Sequence, residues 1–206
     1  MGGWSVGFYR EGFDCIGVDI VDVGYPYKFI QTDIHDLTFK LDPDVVVASP
    51  PCTEFSTMTQ LSWFKKQRGP PDPKGPNGLG LVEQGLRIIK EANPRFWLLE
   101  NVYGSREYIE PLIGKPRVEA KPFLLWGNFP EVLWPDKKHN KSFHQETPWG
   151  REYLKRYGKF GMVEDFPFDP LRAWKRARIP LWVSQHVARA CKSSLLVRTE
   201  TSGKQE

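Results

Sequence analysis

DVVVASPPCTEFS, residues 44–56, reads as a strand that runs into a rigid turn. Val45, Val46 and Val47 are β-branched and apolar, the pattern of a buried parallel strand. Ala48 and Ser49 are small and let the chain leave the sheet. Pro50 and Pro51 fix two successive φ angles and cannot extend a ladder. Cys52 is thereby placed just past the carboxyl end of a strand, where open α/β sheets bind ligands. A thiol held there can serve as a nucleophile, or it can be a small buried hydrophobe, the commoner fate of a free cysteine.

A second stretch, RFWLLENVYG at residues 95–104, weighs on that choice. Phe96, Trp97, Leu98 and Leu99 follow Asn93-Pro94 and form another apolar run, again a buried strand that Glu100 and Asn101 end. A carboxylate directly after a buried strand is costly unless it is paired, exposed or functional. A loop cap or a surface ion pair is the structural alternative for Glu100. A cysteine and a glutamate at the carboxyl ends of two strands can face one cleft, the convergence that an active site needs.

Pro-Cys after one strand and Glu-Asn-Val after the next, at this spacing, resemble the cytosine-C5 DNA methyltransferases. The match runs from about Gly2 to Gly104 and continues weakly beyond. The resemblance implies a Rossmann-like α/β sheet that binds S-adenosylmethionine, with a small irregular recognition lobe. It implies methyl transfer to C5 of a cytosine flipped out of double-stranded DNA, through a covalent bond from the cysteine to C6. On the matching positions, Cys52 is the nucleophile, its thiolate favoured by local dipoles and cations. Glu100 is the proton-bearing partner of the ring, and Arg117, in PRVEAK, is the best match to a basic residue that holds the base and orients the carboxylate. Around the cofactor the resemblance places Gly2, Gly3, Trp4 as a ring stacked on adenine, Asp19 on the ribose with Ile20 beside it, Asp33 at the adenine amino group, Ile34 against the ring, and Pro51 and Leu81.

The resemblance has a gap. Family members open with a strand and a Phe-x-Gly-x-Gly turn ahead of the glycine pair, and this sequence begins at that pair. The sequence can be a fragment, residues 195–198 can supply a substitute strand, or the protein can be a degenerate form. The first is favoured, because two neighbouring strands would otherwise keep unpaired edges. Two rival functions follow: methylation of cytosine in RNA, and an inactive methyltransferase-like protein that binds nucleic acid.

The 206 residues suffice for one α/β core with a small lobe, and 40% hydrophobic with 26% charged residues fit a soluble globular protein. No run is long and apolar enough to span a membrane, and no basic region followed by an apolar one marks a leader, so the expected location is the cytoplasm. The three cysteines, Cys15, Cys52 and Cys191, are odd in number and far apart, which argues against disulfides and a zinc site. His139 and His144 read as surface residues. The net charge of +4 is unevenly spread. Between Lys121 and Trp182 stand twelve Lys and Arg against seven Asp and Glu, with five of the eight tryptophans, a mixture suited to phosphates and bases. A solvated basic face is the alternative.

Along the chain, Trp4, Val6 and Phe8 predict a short amphipathic helix ending near Gly12. Strands follow within residues 13–20 and from residue 29. Residues 59–78, rich in Gly, Pro and charge, form a long loop of the kind that closes over a substrate. Asn77 is placed to cap a helix over residues 78–92. Residues 104–121 read as an irregular connection, and residues 123–129 as a strand. Val183, Val187 and Ala190 mark one face of a C-terminal helix. The expected division is a catalytic domain at 1–124, a recognition lobe at 125–171, a returning helix at 172–198 and a disordered tail at 199–206. The expected state is a monomer with no metal.

Overall fold

A computed structural model of the chain describes residues 3–22, 24–38, 41–56, 65–66, 69–120, 123–133 and 179–202. Residues 134–171 of the expected lobe, with most of its basic and aromatic side chains, His139 and His144, and residues 59–64, 67 and 68 of the expected loop at 59–78 lie outside the described residues.

The elements run α1 (Gly3–Arg10), β1 (Ile16–Asp19), β2 (Lys28–Gln31), β3 (Val45–Ala48), α2 (Leu81–Ala92), β4 (Phe96–Val102), α3 (Arg106–Ile113), β5 (Val118–Ala120), β6 (Phe123–Asn128) and α4 (Leu181–Ser202). β1 and β2 pair in parallel. A second sheet has the order β3-β4-β6-β5, with β3 parallel to β4 and β6 antiparallel to both β4 and β5. No strand among the described residues joins the two sheets. The α/β class is as expected.

β4 is central because FWLLENV can be buried on both faces, and successive side chains of a strand point to opposite sides. Leu98 and Leu125 face one core, shared with Trp4 and Phe8 of α1 and Val183 and Val187 of α4. Leu99 and Leu124 face the other, shared with Val82 of α2 and Ile109 of α3. Burial of these apolar side chains, fourteen residues in the first cluster and six in the second, at about 1.5–3 kcal/mol for each large one, dominates what holds the layers together.

α1 and α4 touch so closely that Gly7 has no room for a side chain. A Cβ there would come within 2.0 Å of Ser184 Oγ and 2.7 Å of the Gln185 backbone nitrogen. The hydroxyl can rotate away, but the backbone cannot. Gly7→Ala is therefore expected to destabilise the fold by about 2–3 kcal/mol, read as a fall in Tm of about 5–10 °C. Glu11 fastens the same crossing, accepting from Arg189 Nε at 2.9 Å and from Gln185 Nε2 at 3.2 Å.

Several sequence expectations are corrected. Residues 195–197 lie in α4 and supply no strand; polar residues on either side let the helix run on to Ser202, through the start of the expected tail. α2 starts at Leu81 rather than residue 78, and Asn77 does not cap it. The Leu79 N–H donates to Pro73 O at 2.8 Å, and Gly78 leaves helical φ/ψ, so residues 76–80 form a separate wide turn. The connection at 104–121 contains α3 and β5. α3 keeps its apolar stripe despite Pro111, with Ile109 fully buried. β6 crosses the boundary expected at residue 125, because Leu125 pairs with Glu100 inside the main sheet. Lastly, Glu100 and Asn101 do not end β4; both are buried strand residues.

Candidate active site

The parallel pairing of β3 with β4 sets Ala48 beside Leu99, so the chain leaving β3 lies against the last turns of β4. Three contacts hold the Cys52 turn there. Ser49 Oγ donates to Glu100 Oε2. Asn101 Nδ2 donates to Pro50 O at 3.2 Å. Gly104 presses on the far side of the turn: a Cβ on it would stand 2.2 Å from Phe55 O. The turn also closes on itself, with Phe55 N–H donating to Cys52 O at 3.1 Å. Residues 49–55 thus rest on residues 100–104, and Cys52 and Glu100 share one site.

The electrostatics of the pair run opposite to the expectation of a standing thiolate. Burial first, and then the nearby Glu100 charge, push the Cys52 thiol up to about 11. Burial pushes the Glu100 carboxyl up to about 7, against the lowering effect of the Ser49 hydrogen bond. No cation offsets either group among the described residues, and two neighbouring acids in a low dielectric each favour the neutral form of the other. At neutral pH the free protein holds a protonated thiol beside a carboxyl that is part acid, part carboxylate. Cys52 is half-buried, so it keeps a path to solvent. Cys15 and Cys191 are core residues, and burial raises both thiols, Cys191 to about 12.

Arg117 is not brought to this pair. Its N–H donates to Leu125 O at 2.8 Å, at the start of β5. Its guanidinium lies 5.1 Å from the centre of the Phe129 ring. β6 runs antiparallel to β4, and Asn128 is opposite Trp97, so Phe129 lies toward the start of β4 while Glu100 lies toward its end. The register sends the arginine the wrong way for a carboxylate clamp. Ser49 takes the place beside the carboxyl instead.

The remaining predicted positions fall into two groups. Asp19 ends β1, and its Oδ1 accepts from Val21 N–H at 3.1 Å. Ile20 beside it is 59% exposed, an apolar side chain open to a ligand. Thr32 N–H donates to Asp19 O at 3.1 Å, which ties the tip of β1 to the residue before Asp33. Asp33 is held below the usual carboxylate range, first by the His35 backbone N–H and then by its ring. Arg87 of α2 donates to Ile34 O at 2.6 Å and Leu37 O at 3.3 Å, so the turn at 33–37 is fastened to the helix that Leu81 begins. Gly85 of that helix packs on Ala48. The tip of β1 at Asp19, the turn at 33–37 and α2 are therefore joined by short contacts, with Leu81 at the start of α2 and Pro51 after β3. Trp4 is different: it is a core residue, packed with Phe8 and the α4 side chains, so its ring offers no open stacking face. Its buried indole N–H has no hydrogen-bond partner among the described residues. Gly3 opens α1 beside it, and Gly2 lies outside the described residues.

Sequence reasoning passed over Ser49, Asn101 and Gly104. Their signal was present in the motifs: a hydroxyl ahead of the proline pair, and an amide and a glycine after the glutamate. Among the described residues no group of three or more His, Cys, Asp or Glu side chains is placed to hold a metal ion. No described helix is long and apolar enough to cross a membrane.

Known proteins share this arrangement of sequence. A relative described as Type II methyltransferase M.FnuDI, from Fusobacterium nucleatum, is 32% identical over 113 residues, 50% of this chain and 30% of its own length. A probable DNA (cytosine-5)-methyltransferase of Frog virus 3 is 30% identical over 105 residues, 48% of this chain and 49% of its own. Type II methyltransferase M.AquIA of Picosynechococcus is 30% identical over 122 residues, 50% of this chain and 45% of its own. The matched segment spans less than half the length of each. A sequence model described as C-5 cytosine-specific DNA methylase matches residues 1–107, just over half of the 206 residues, and includes both the Cys52 turn and the Glu100 strand. The chain belongs to the C-5 cytosine-specific DNA methylase family.

Proposed function

We propose that this protein methylates C5 of cytosine in DNA, with S-adenosylmethionine as donor. The observation that carries the reading is the Cys52 turn seated on the Glu100 strand, a thiol and a proton-bearing carboxyl in one half-open site. When bound, S-adenosylmethionine supplies a methyl group on a sulfonium sulfur. Asp19, Ile20, Asp33, Ile34, Pro51 and Leu81 fit it: apolar surface for the purine and carboxylates for hydroxyl and amino groups.

Cytosine C5 is a weak nucleophile while the ring is aromatic. The Cys52 thiol gives its proton to solvent water, the thiolate adds to C6, and C5 becomes enamine-like. Glu100 in its acid form donates to N3 and so neutralises the charge that this addition sends into the ring. A neutral Glu100 also removes the like charge that holds the thiol proton in place. After C5 has gained the methyl group it loses its proton to water, N3 returns its proton to Glu100, the Cys52–C6 bond breaks, and the thiolate leaves with the ring aromatic again and retakes a proton from water. Atoms balance: one methyl in, one proton out, the cysteine restored. A cytosine stacked in a duplex is out of reach of a thiol held in a turn, so the base has to leave the helix.

Transfer of a tritiated methyl group from S-adenosylmethionine to duplex DNA and to tRNA tests the reading. Incorporation into DNA, acid-stable and located at C5, is the expected result. Incorporation into tRNA alone makes the protein an RNA enzyme, and a folded sample that binds no S-adenosylmethionine in calorimetric titration overturns the enzymatic reading. The brace on the turn adds a prediction. Gly104→Ala pushes against Phe55 O and shifts the Cys52 turn, so kcat for DNA is expected to fall about 10- to 100-fold with the KM for S-adenosylmethionine little changed.

A further inference from the structure

Glu100 is 6% exposed and carries a titrating carboxyl. A buried carboxyl needs a partner to fix its rotamer, and Arg117 is turned away toward Phe129. Among the described residues the hydrogen-bond partner of that carboxyl is the Ser49 hydroxyl, 51 residues earlier in the chain. Ser49 is itself exposed at the end of β3, where water could satisfy it equally well. Its position is not adjustable: Val45, Val46, Val47 and Ala48 are paired with β4 on one side, and Pro50 is held by Asn101 on the other. The hydroxyl is thus delivered to Glu100 by two fixed neighbours.

We propose that Ser49 is a positioning residue for the methyl-transfer reaction: by binding one carboxyl oxygen of Glu100 it leaves the other oxygen to meet the ring nitrogen of a cytosine held against Cys52. The proposal rests on the functional reading above. Chemically it asks little of the serine. The hydroxyl donates to the carboxylate oxygen, and it can equally accept when that oxygen is protonated, so the carboxyl keeps its orientation in both states. An alanine cannot do this, and a threonine can. The alternative is a serine that merely suits the chain leaving the sheet, for which the hydroxyl is incidental.

The test compares the full chain with Ser49→Ala and Ser49→Thr. Infrared difference spectra across pH, with Glu100→Gln subtracted, follow the Glu100 carboxyl in the free protein without need of turnover. Ser49→Ala is expected to move its titration to higher pH, and Ser49→Thr to return it to the wild-type position. In methyl transfer, Ser49→Ala is expected to lower kcat about 10- to 100-fold with the KM for DNA changed less than about twofold, and Ser49→Thr to recover most of the loss. Wild-type turnover with Ser49→Ala unchanged in both measurements overturns the Ser49 assignment alone. Equal losses in the alanine and threonine variants also overturn it, since a turn defect ignores the hydroxyl. A wild type that transfers no methyl, while the carboxyl titration still shifts in Ser49→Ala, overturns the functional reading instead.

Discussion

Cys52→Ala is expected to lower methyl transfer by more than about a thousandfold, while leaving the protein folded and able to bind DNA. The side chain is half-buried in a turn, and its removal takes away one sulfur without opening a core cavity, a loss of about 1 kcal/mol or less. Duplex DNA carrying 5-fluorocytosine gives the sharper readout. Fluorine at C5 cannot leave as a proton does, so the final elimination stalls and the protein stays bonded to C6. Wild type with cofactor is expected to form an adduct that survives denaturant, and Cys52→Ala none. Replacing Cys15 or Cys191 by alanine is expected to preserve the adduct, because both thiols lie in the packed core against α1 and α4. An adduct formed by Cys52→Ala would show that another residue attacks the base.

How far the sequence discloses this site can be judged residue by residue. The strand before Cys52 is legible because three valines and a proline pair leave few options: the first favour a parallel strand and the second ends it, although β3 stands half-buried at the edge of its sheet among the described residues rather than buried as expected. Glu100 was legible as a group out of place among apolar neighbours, but its depth was not. The polar pair Glu100-Asn101 looks like the end of a strand, and only the hydroxyl and carbonyl waiting on the neighbouring turn allow it to stay inside. Those partners are some fifty residues away, and one sequence does not say which side chains meet across a parallel pair.

Arg117 shows the reverse limit. A basic residue near a motif invites a role, but the direction of its side chain depends on the β4–β6–β5 register, and that register is set by packing on both faces of the sheet. Trp4 was misread for a related reason. Helical spacing marks Trp4 and Phe8 as one apolar face without naming what covers it. α4, from the other end of the chain, covers it and turns a supposed ligand face into core. α3 was missed because Pro111 and a high charge density hide a short stripe of which Ile109 is the buried centre.

Glu100→Gln is expected to separate stability from catalysis. The folded protein holds this carboxyl at about 7 against an ordinary value of 4.5, with burial as the cause. The native state therefore binds a proton that the unfolded chain has released between those two values. Stability from the neutral carboxyl is complete below about pH 4.5 and is lost as pH rises through about 7. By pH 8 the buried charge costs about 2–3 kcal/mol. Glutamine keeps the shape, still accepts from Ser49 through its carbonyl oxygen, and never ionises. Its Tm is expected to exceed that of wild type by about 5–10 °C at pH 8 and to match it near pH 5. Methyl transfer moves the other way, with a loss of about 100-fold or more at every pH, because an amide has no proton to give to N3. Thermal melts at the two pH values and single-turnover rates check both halves. A glutamine variant less stable than wild type at pH 8 would mean that the carboxylate is well solvated or paired, and the acid role assigned to Glu100 would go with it. A stabilised variant that still turns over at the wild-type rate would leave the carboxyl buried as found and move the proton donor to another group.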